Sequence, residues 1–227
     1  MKVLYIFAGE ERKGSIQDWL RDLLPPSLQL IMDEIDILSG DSNHDLAVAA
    51  NRKLCLEKVH TADVVICTPP CSTHSRAVWA NSLGPKPIRS RAYPRGFPWL
   101  SDAGRRKAEL ANLLVDFTWE VLRMVDLCSQ SRWCLGLSEH PENLGRVGAW
   151  GSDSFPASIW DCDEAHSLVA DCGWSTLALH QQNFGAPTAK PTRILYNNKV
   201  FDNLGHLGWP TFDHGGRYTG PLPKPGP

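Results

Sequence analysis

Short apolar runs alternate along the chain with longer segments in which apolar residues recur at helical spacing. Six apolar runs predict strands, at residues 2–7, 28–37, 62–67, 133–137, 175–180 and 194–196. Four segments with helical spacing predict helices, at residues 15–24, 46–59, 101–127 and 158–171. Because strands that alternate with helices favour parallel pairing, we expect an α/β, three-layer sandwich with a mainly parallel, Rossmann-like sheet.

The chain has 227 residues and no internal repeat, which favours a single main domain. We expect this domain to cover residues 1–200, with an irregular basic and aromatic insertion at 86–107. Residues 201–227 hold mostly glycine, proline and polar residues and are predicted to form a loop-like tail.

Charge and cysteine content narrow the class of protein. A net charge of −2 excludes a globally basic nucleic-acid-binding protein, so any contact with nucleic acid must come from a local patch. Seven cysteines without a CxxC pair argue against a disulfide scaffold or a zinc ribbon and favour a reducing intracellular compartment, the cytoplasm or nucleus. The N-terminal apolar run predicts a strand rather than a secretion signal, and no apolar stretch reaches the length of a membrane span.

Four polar stretches follow predicted strands. They are FAGEERKGS (7–15), CTPPCSTHSR (67–76), SEHPENLG (138–145) and NFGAPTAKPT (183–192). Because the carboxyl ends of parallel strands meet at one edge of a sheet, we expect these stretches to form one composite site there.

Cys71 and Glu139 are the candidate catalytic residues of that site. Pro69 and Pro70 must end the preceding strand, and they present Cys71 on a rigid turn. A thiolate attacks an electrophilic carbon, and a neighbouring carboxylic acid holds the substrate or donates a proton. The alternative for an isolated cysteine is a small buried hydrophobic residue.

The order of these motifs resembles that of the DNA cytosine-5 methyltransferases. PPC follows an apolar strand, a glutamate follows a later one, and FGAP follows another, over roughly residues 3–196. The resemblance implies methyl transfer from S-adenosylmethionine to carbon 5 of cytosine in DNA. It implies that Cys71 attacks carbon 6 of the base and that Glu139 binds the ring nitrogen and the exocyclic amine.

The same resemblance assigns cofactor-binding residues. Phe7-Ala8-Gly9 matches the first loop of the family, and Asp36, or Glu34 in its place, would bind the ribose of the cofactor. The adenine would contact Asp45. The full set is Phe7, Ala8, Gly9, Asp36, Asp45 and Pro69.

The chain also departs from the family pattern. The first loop carries Glu10 and Glu11 where the family is rich in glycine, and the two arginines expected after FGAP are replaced by Lys190 and Thr192. Only about 30 residues follow Tyr196, so the usual target-recognition region is absent from this sequence. These departures leave open a catalytically inactive, nucleic-acid-binding relative, or a Cys-dependent nucleotide hydrolase or transferase with His74 as the base of Cys71.

Cations and substrate contacts complete the prediction. Arg76 is expected to lower the pKa of Cys71. The predicted catalytic residues are Cys71, Glu139, Arg76 and Lys190. Between residues 86 and 107 seven Lys or Arg residues accompany one acidic residue, with aromatic residues between them, so the segment is either a nucleic-acid contact or a solvated loop. The predicted substrate contacts are Ser75, Lys86, Arg89, Arg91, Arg95 and Asn183. A partner protein is a further expectation, to supply target recognition, and the substrate is DNA or a nucleotide.

Overall fold

A six-stranded mixed sheet forms the centre of the molecule. The computed structural model describes residues 1–10, 12–79, 84–147 and 154–221. The strands are β1 (Lys2–Ile6), β2 (Ile31–Ile35), β3 (Val64–Cys67), β4 (Leu135–Pro141), β5 (Ser175–His180) and β6 (Pro191–Tyr196). Their order is β2-β1-β3-β4-β6-β5; the β2-β1-β3-β4 half is parallel, whereas β6 is antiparallel to both β4 and β5. The fold is therefore α/β, with a mostly parallel sheet that is compatible with a Rossmann-like fold.

Four helices connect these strands. They are α1 (Ile16–Leu23), α2 (Ala49–Val59), α3 (Asp102–Ser129) and α4 (Asp163–Cys172). Ser15 begins α1 with a capping box to Asp18, and the Ser101 side chain accepts the hydrogen bond of the Gly104 amide at the start of α3. Among the described residues, no helix combines the length and apolar character needed to cross a membrane.

The main core lies between one face of the sheet and helices α2, α3 and α4. Leu4, Ile6 and Val65 point into it from β1 and β3, and Trp119 and Leu122 enter from α3. Successive side chains of a strand point to opposite faces, so Tyr5, Ile66 and Leu137 form a row on the other face, where they are paired in register across β1, β3 and β4. This second face bears the candidate site.

Two sequence-based boundaries need correction. Strand β4 continues to Pro141, so Glu139 lies within a strand rather than in a following turn. The reason is the antiparallel partner β6, which places Ile194 opposite Glu139 and Thr192 opposite Pro141. The segment predicted as a loop-like tail begins with 3₁₀ turns at Lys199–Leu207 and returns to the body of the molecule through a bridge between Gly145 and Arg217.

Candidate functional site

A cavity of about 720 Å³ opens at the carboxyl edge of the parallel strands. Its floor is the row of Tyr5, Ile66 and Leu137, and its walls come from the loop after β1, the turn after β3 and the start of β6. The volume falls within the range of small-molecule sites in proteins. All four stretches predicted to converge at this edge contribute lining residues, and the third stretch does so through Glu139 and Pro141, which lie within β4.

Cys71 lines this cavity on the turn built by Pro69 and Pro70. Burial raises the pKa of the Cys71 thiol, the positive charge of Lys190 opposes that rise, and the negative charge of Glu139 adds to it. Two charged neighbours therefore act on the thiol in opposite directions. The proportion of reactive thiolate depends on which of the two charges dominates.

Glu139 faces the same cavity from β4. Its Oε1 accepts a hydrogen bond from Nε2 of Gln181 at 3.1 Å, and Oγ1 of Thr192, which donates to the Lys190 carbonyl, lies 3.4 Å from the same oxygen. The ammonium of Lys190 lies 3.6 Å from the same oxygen. One carboxylate oxygen thus has three polar neighbours, which fix the orientation of the carboxylate at the cavity wall.

Lys190 is the cation that the structure brings to both Cys71 and Glu139. Its backbone has a φ of 32°, a conformation that side-chain-bearing residues seldom adopt, directly before β6. Its carbonyl accepts from Oγ1 of Thr192 at 3.0 Å. The side chain is half exposed, so its charge is accessible to a ligand in the cavity.

The loop after β1 forms the opposite wall. Phe7 has a φ of 64°; its amide donates to the carbonyl of Ile35 (2.7 Å), and its own carbonyl accepts from Oγ1 of Thr68 (2.7 Å). These bonds tie the loop to its neighbouring strands and hold a non-glycine residue in the left-handed region. The lining residues from this loop are Phe7, Ala8, Gly9, Glu10 and Arg12, and Pro69 lines the cavity from the turn after β3. Four of the six predicted cofactor residues therefore line the cavity.

Asp36 and Asp45 lie outside the lining of this cavity. The Asp36 carboxylate accepts from the amides of Gly9 (2.9 Å) and Leu38 (2.9 Å), so it supports the loop after β1 from behind. Asp45 accepts from the amide of Ala47 at 2.9 Å and shapes the start of the segment that leads to α2. These two predicted cofactor residues therefore do not line the cavity that holds Cys71.

Arg76 and Ser75 also turn away from the cavity lining. Arg76 donates from Nη1 to the carbonyl of Leu144 at 3.0 Å, and burial and the nearby Arg217 lower its pKa. The Ser75 hydroxyl accepts from the amide of Ala77. The cation next to Cys71 is therefore Lys190, and Arg76 takes no part in setting the charge there.

Of the three arginines in the basic segment 84–100, one is buried and two form ion pairs at the surface. Arg89 is only 1% exposed and donates from Nη1 to Nε2 of His74 (2.7 Å) and Oδ1 of Asn112 (2.8 Å). Arg95 forms a two-pronged pair with Asp116 at 2.6 and 2.7 Å, and Arg91 lies 3.8 Å from a carboxylate oxygen of Asp161. Lys86 alone of the four predicted basic contacts is exposed and has no ion pair with a described residue.

His74 is buried beneath this segment. Because a guanidinium only donates, Nε2 of His74 must accept from Arg89, so the proton of the neutral ring is on Nδ1, 3.2 Å from Oγ1 of Thr73. Burial and the charge of Arg89 lower the pKa of His74 to about 2. His74 is therefore committed to Arg89 and is unsuited to act as the base of Cys71.

Sequence reasoning missed Tyr5, gave Thr192 only as the replacement of a family arginine, and named Asn183 where Gln181 makes the contact. Tyr5 provides part of the cavity floor, and alternation within β1 places it on the face opposite Leu4 and Ile6. Thr192 reaches Glu139 from β6. Asn183 lies beside Gly208, whereas Gln181, two residues earlier, donates a hydrogen bond to Glu139.

In the described part of the chain, no group of three or more His, Cys, Asp or Glu side chains is arranged to hold a metal ion.

Comparison with known proteins adds no family to this description. No protein-family model matches the chain, and no curated protein or solved structure matches it. The interpretation of the site accordingly depends on its own geometry and on the motifs within it.

Proposed function

We propose that the protein transfers a methyl group from S-adenosylmethionine to carbon 5 of cytosine in DNA. The observation that supports this most strongly is the meeting of Cys71, Glu139 and Lys190 at one cavity whose opposite wall is the Phe7–Gly9 loop. A nucleophile, an orienting carboxylate and a cation are the groups that addition to a pyrimidine ring requires.

In the proposed reaction the sulfur of Cys71 forms a bond to carbon 6 of the base. The electron pair of the carbon 5–carbon 6 double bond moves so that carbon 5 becomes nucleophilic, and Glu139 holds the ring nitrogen and the amine. Carbon 5 would take the methyl group of bound S-adenosylmethionine, whose methyl–sulfur bond breaks to leave S-adenosylhomocysteine, and would then lose its proton to water. The sulfur–carbon bond breaks, the double bond re-forms, and the thiolate is regenerated.

Lys190 supports this chemistry through its charge. Because Lys190 lowers the pKa of Cys71 against the effect of burial, it increases the thiolate fraction at a given pH. Its contact with Glu139 at 3.6 Å also partly neutralises the carboxylate that disfavours the thiolate. Lys190 thus acts as a positioning and activating residue for both groups.

The cavity wall around Gly9 fits the cofactor. A Cβ added at Gly9 would meet no atom within 4 Å, so the wall is open at that residue, and Phe7 offers an aromatic surface beside it. Glu10 and Arg12 line the same wall with opposite charges, which match the ammonium and carboxylate of a methionine moiety. When bound, S-adenosylmethionine supplies the electrophilic methyl group. Phe7, Ala8, Gly9 and Pro69 would hold it, with Asp36 supporting the loop.

A methyltransferase-like, three-layer arrangement is part of the same proposal. The connection from β1 to β2 and that from β2 to β3 run in opposite directions along the sheet. Right-handed crossovers therefore place α1 and α2 on opposite faces. Helix α1 contributes Ile16 to the cavity on the second face, in agreement with that placement.

The second candidate is a methyltransferase-like protein that binds nucleic acid without methylating it. The replacement of the two family arginines, by Lys190 and Thr192, favours it. The hydrolase alternative is weaker, because His74 is bonded to Arg89 and lies outside the lining of the Cys71 cavity. In either nucleic-acid reading, a partner protein would supply recognition of the target sequence.

Calorimetric titration with S-adenosylmethionine, followed by an assay of labelled methyl transfer to cytosine-containing DNA, tests the proposal. We expect binding in the micromolar range, about −8 kcal/mol, and transfer that Cys71→Ser reduces at least about 10³-fold without loss of cofactor binding. Cys172→Ser, at the end of α4, is the matched control and should retain full transfer. Absence of cofactor binding, or equal transfer by Cys71→Ser and the wild type, would contradict the proposal; binding without transfer would favour the second candidate.

A further inference from the structure

Three aromatic rings form a cluster on the surface of the 84–100 segment. The ring of Phe97 is stacked on that of Trp99, with centroids 5.0 Å apart and planes 9° from parallel. Tyr93 meets both rings edge-on, at 5.8 and 5.3 Å. Trp99 is 68% exposed and Tyr93 43% exposed, so the cluster presents large aromatic faces to solvent.

Polar contacts hold this cluster firmly against α3. Asn112 accepts from Arg89 and donates to the carbonyl of Arg95 at 2.9 Å, and Arg95 pairs with Asp116 one helical turn further on. Within the segment, the amide of Phe97 donates to the carbonyl of Ile88 at 2.9 Å. The arginines expected to bind phosphates are thus used to build the loop, and the rings remain outside on a rigid support.

The first turns of α3 and the segment before it carry four further cations. Lys86, Arg105, Arg106 and Lys107 are exposed, and none of them forms an ion pair with a described residue. Arg105 lies one helical turn before Ala108, the residue on which Gly96 packs, so it lies on the side of the helix that carries the aromatic segment. This local positive charge contrasts with a net charge of −2 for the whole chain.

From the exposed rings and these free cations we infer that Tyr93, Phe97 and Trp99 form a base-stacking surface for single-stranded DNA. Aromatic faces bind unpaired bases of any sequence, and nearby Lys and Arg side chains bind the phosphates. Bases in a duplex are already stacked on one another and would not reach the rings. A protein partner with an apolar surface would bury Trp99 but would gain nothing from four cations that form no ion pair with a described residue.

The stacking surface is joined directly to the turn that carries the candidate nucleophile. Arg89 bonds His74, and the amide of His74 donates to the carbonyl of Cys71 at 3.1 Å. The segment that carries the rings is therefore connected by hydrogen bonds to the turn that carries Cys71. The inference rests on the proposed function in taking nucleic acid as the substrate, but it does not require that Cys71 react.

Fluorescence anisotropy with a labelled oligothymidine of about 12 nucleotides tests the inference on the full chain. Trp99→Ala should weaken binding at least about fivefold, the lower limit for loss of one base–aromatic stack. Trp209→Ala is the matched control, because Trp209 is also exposed, at 54%, and should bind as the wild type does. Replacement of Arg105, Arg106 and Lys107 by Gln should make the salt dependence of binding shallower.

Equal affinity of Trp99→Ala and the wild type would overturn the inference, as would tighter binding of a duplex than of the single strand or no binding of either. If the wild-type protein binds the oligonucleotide through Trp99 but transfers no methyl group, the proposed function alone is refuted. Methyl transfer without any effect of Trp99 would refute the stacking surface alone.

Discussion

The cavity edge and the buried region beneath residues 84–100 contain the same pairing of a cation with a titratable side chain. At the edge, Lys190 lies 3.6 Å from Glu139 and is half exposed. In the buried region, Arg89 lies 2.7 Å from His74 and is 1% exposed. The two regions are only a few residues apart in sequence at Cys71 and His74, yet solvent and ligands reach one of them and not the other.

Burial decides what each region can do. In the buried region it lowers the pKa of His74 to about 2, so the ring stays neutral under ordinary conditions. At the edge it raises the pKa of Cys71, but two accessible charges modify the effect and a substrate can alter them further. A buried polar group stabilises the fold, whereas a half-buried group with adjustable neighbours is suited to chemistry.

The largest effect that tests this contrast is the loss of Arg89. Arg89→Met would leave the buried Nε2 of His74 without a donor and would remove the hydrogen bonds of Arg89 to Asn112, Pro94 and Ala108. We expect the free energy of unfolding to fall by about 2–4 kcal/mol, measured by urea denaturation. Binding of S-adenosylmethionine to the folded fraction should be unchanged, because Arg89 does not line the cavity.

Arg91→Met provides the matched control for that variant. Arg91 is exposed, and its distance of 3.8 Å from Asp161 makes a weak surface pair, worth less than about 1 kcal/mol. Equal destabilisation by the two substitutions would show that burial of Arg89 is not what stabilises the segment. A stable Arg89→Met variant with impaired transfer would place Arg89 in the chemistry instead.

Removal of the cation at the cavity edge should have a smaller effect on the free energy of unfolding than removal of Arg89. Lys190→Ala should raise the pKa of Cys71 further, because the charge that opposes the effect of burial is removed. An increase of one in that pKa lowers the thiolate fraction, and with it the rate near neutral pH, about tenfold. The free energy of unfolding should change by less than about 1 kcal/mol, since the ion pair is half exposed.

The pH profile separates this role from a merely structural one. Thiolate forms as pH rises through the raised pKa of Cys71, so the rate of Cys71 alkylation by iodoacetamide should increase into the alkaline range. That profile should move to higher pH in Lys190→Ala and return towards the wild type in Lys190→Arg. If the pH dependence of alkylation is the same in Lys190→Ala and the wild type, Lys190 does not influence the reactivity of the Cys71 thiol.

The sequence predicted most of the elements because their signals are local. Capping by Ser15, the prolines after β3 and the apolar spacing of α3 each depend on neighbouring residues only. The meeting of Cys71 with Glu139 followed from the rule that parallel strands end at one edge. The antiparallel insertion of β6, which lengthens β4, has no local signal and was not predicted.

Roles that depend on tertiary packing were harder to predict. Nothing in the sequence around Arg89 distinguishes it from Lys86; only the position of α3 buries one and leaves the other in solvent. Arg76 is near Cys71 in sequence, but its guanidinium reaches Leu144, whereas Lys190 comes from the far end of the chain. Sequence proximity was a poor guide to the electrostatic neighbours of the thiol.

The most direct test of the central claim is a search for a covalent bond between Cys71 and a cytosine. An oligonucleotide with fluorine on carbon 5 of its cytosines cannot lose a proton from that atom, so elimination of the thiol is blocked after methyl transfer. Intact-mass and peptide-level mass spectrometry, in the presence of S-adenosylmethionine, should show one oligonucleotide plus one methyl group attached at Cys71, and no adduct for Cys71→Ser. A protein that binds the cofactor and the oligonucleotide but forms no adduct, or forms it on another cysteine, would contradict the account.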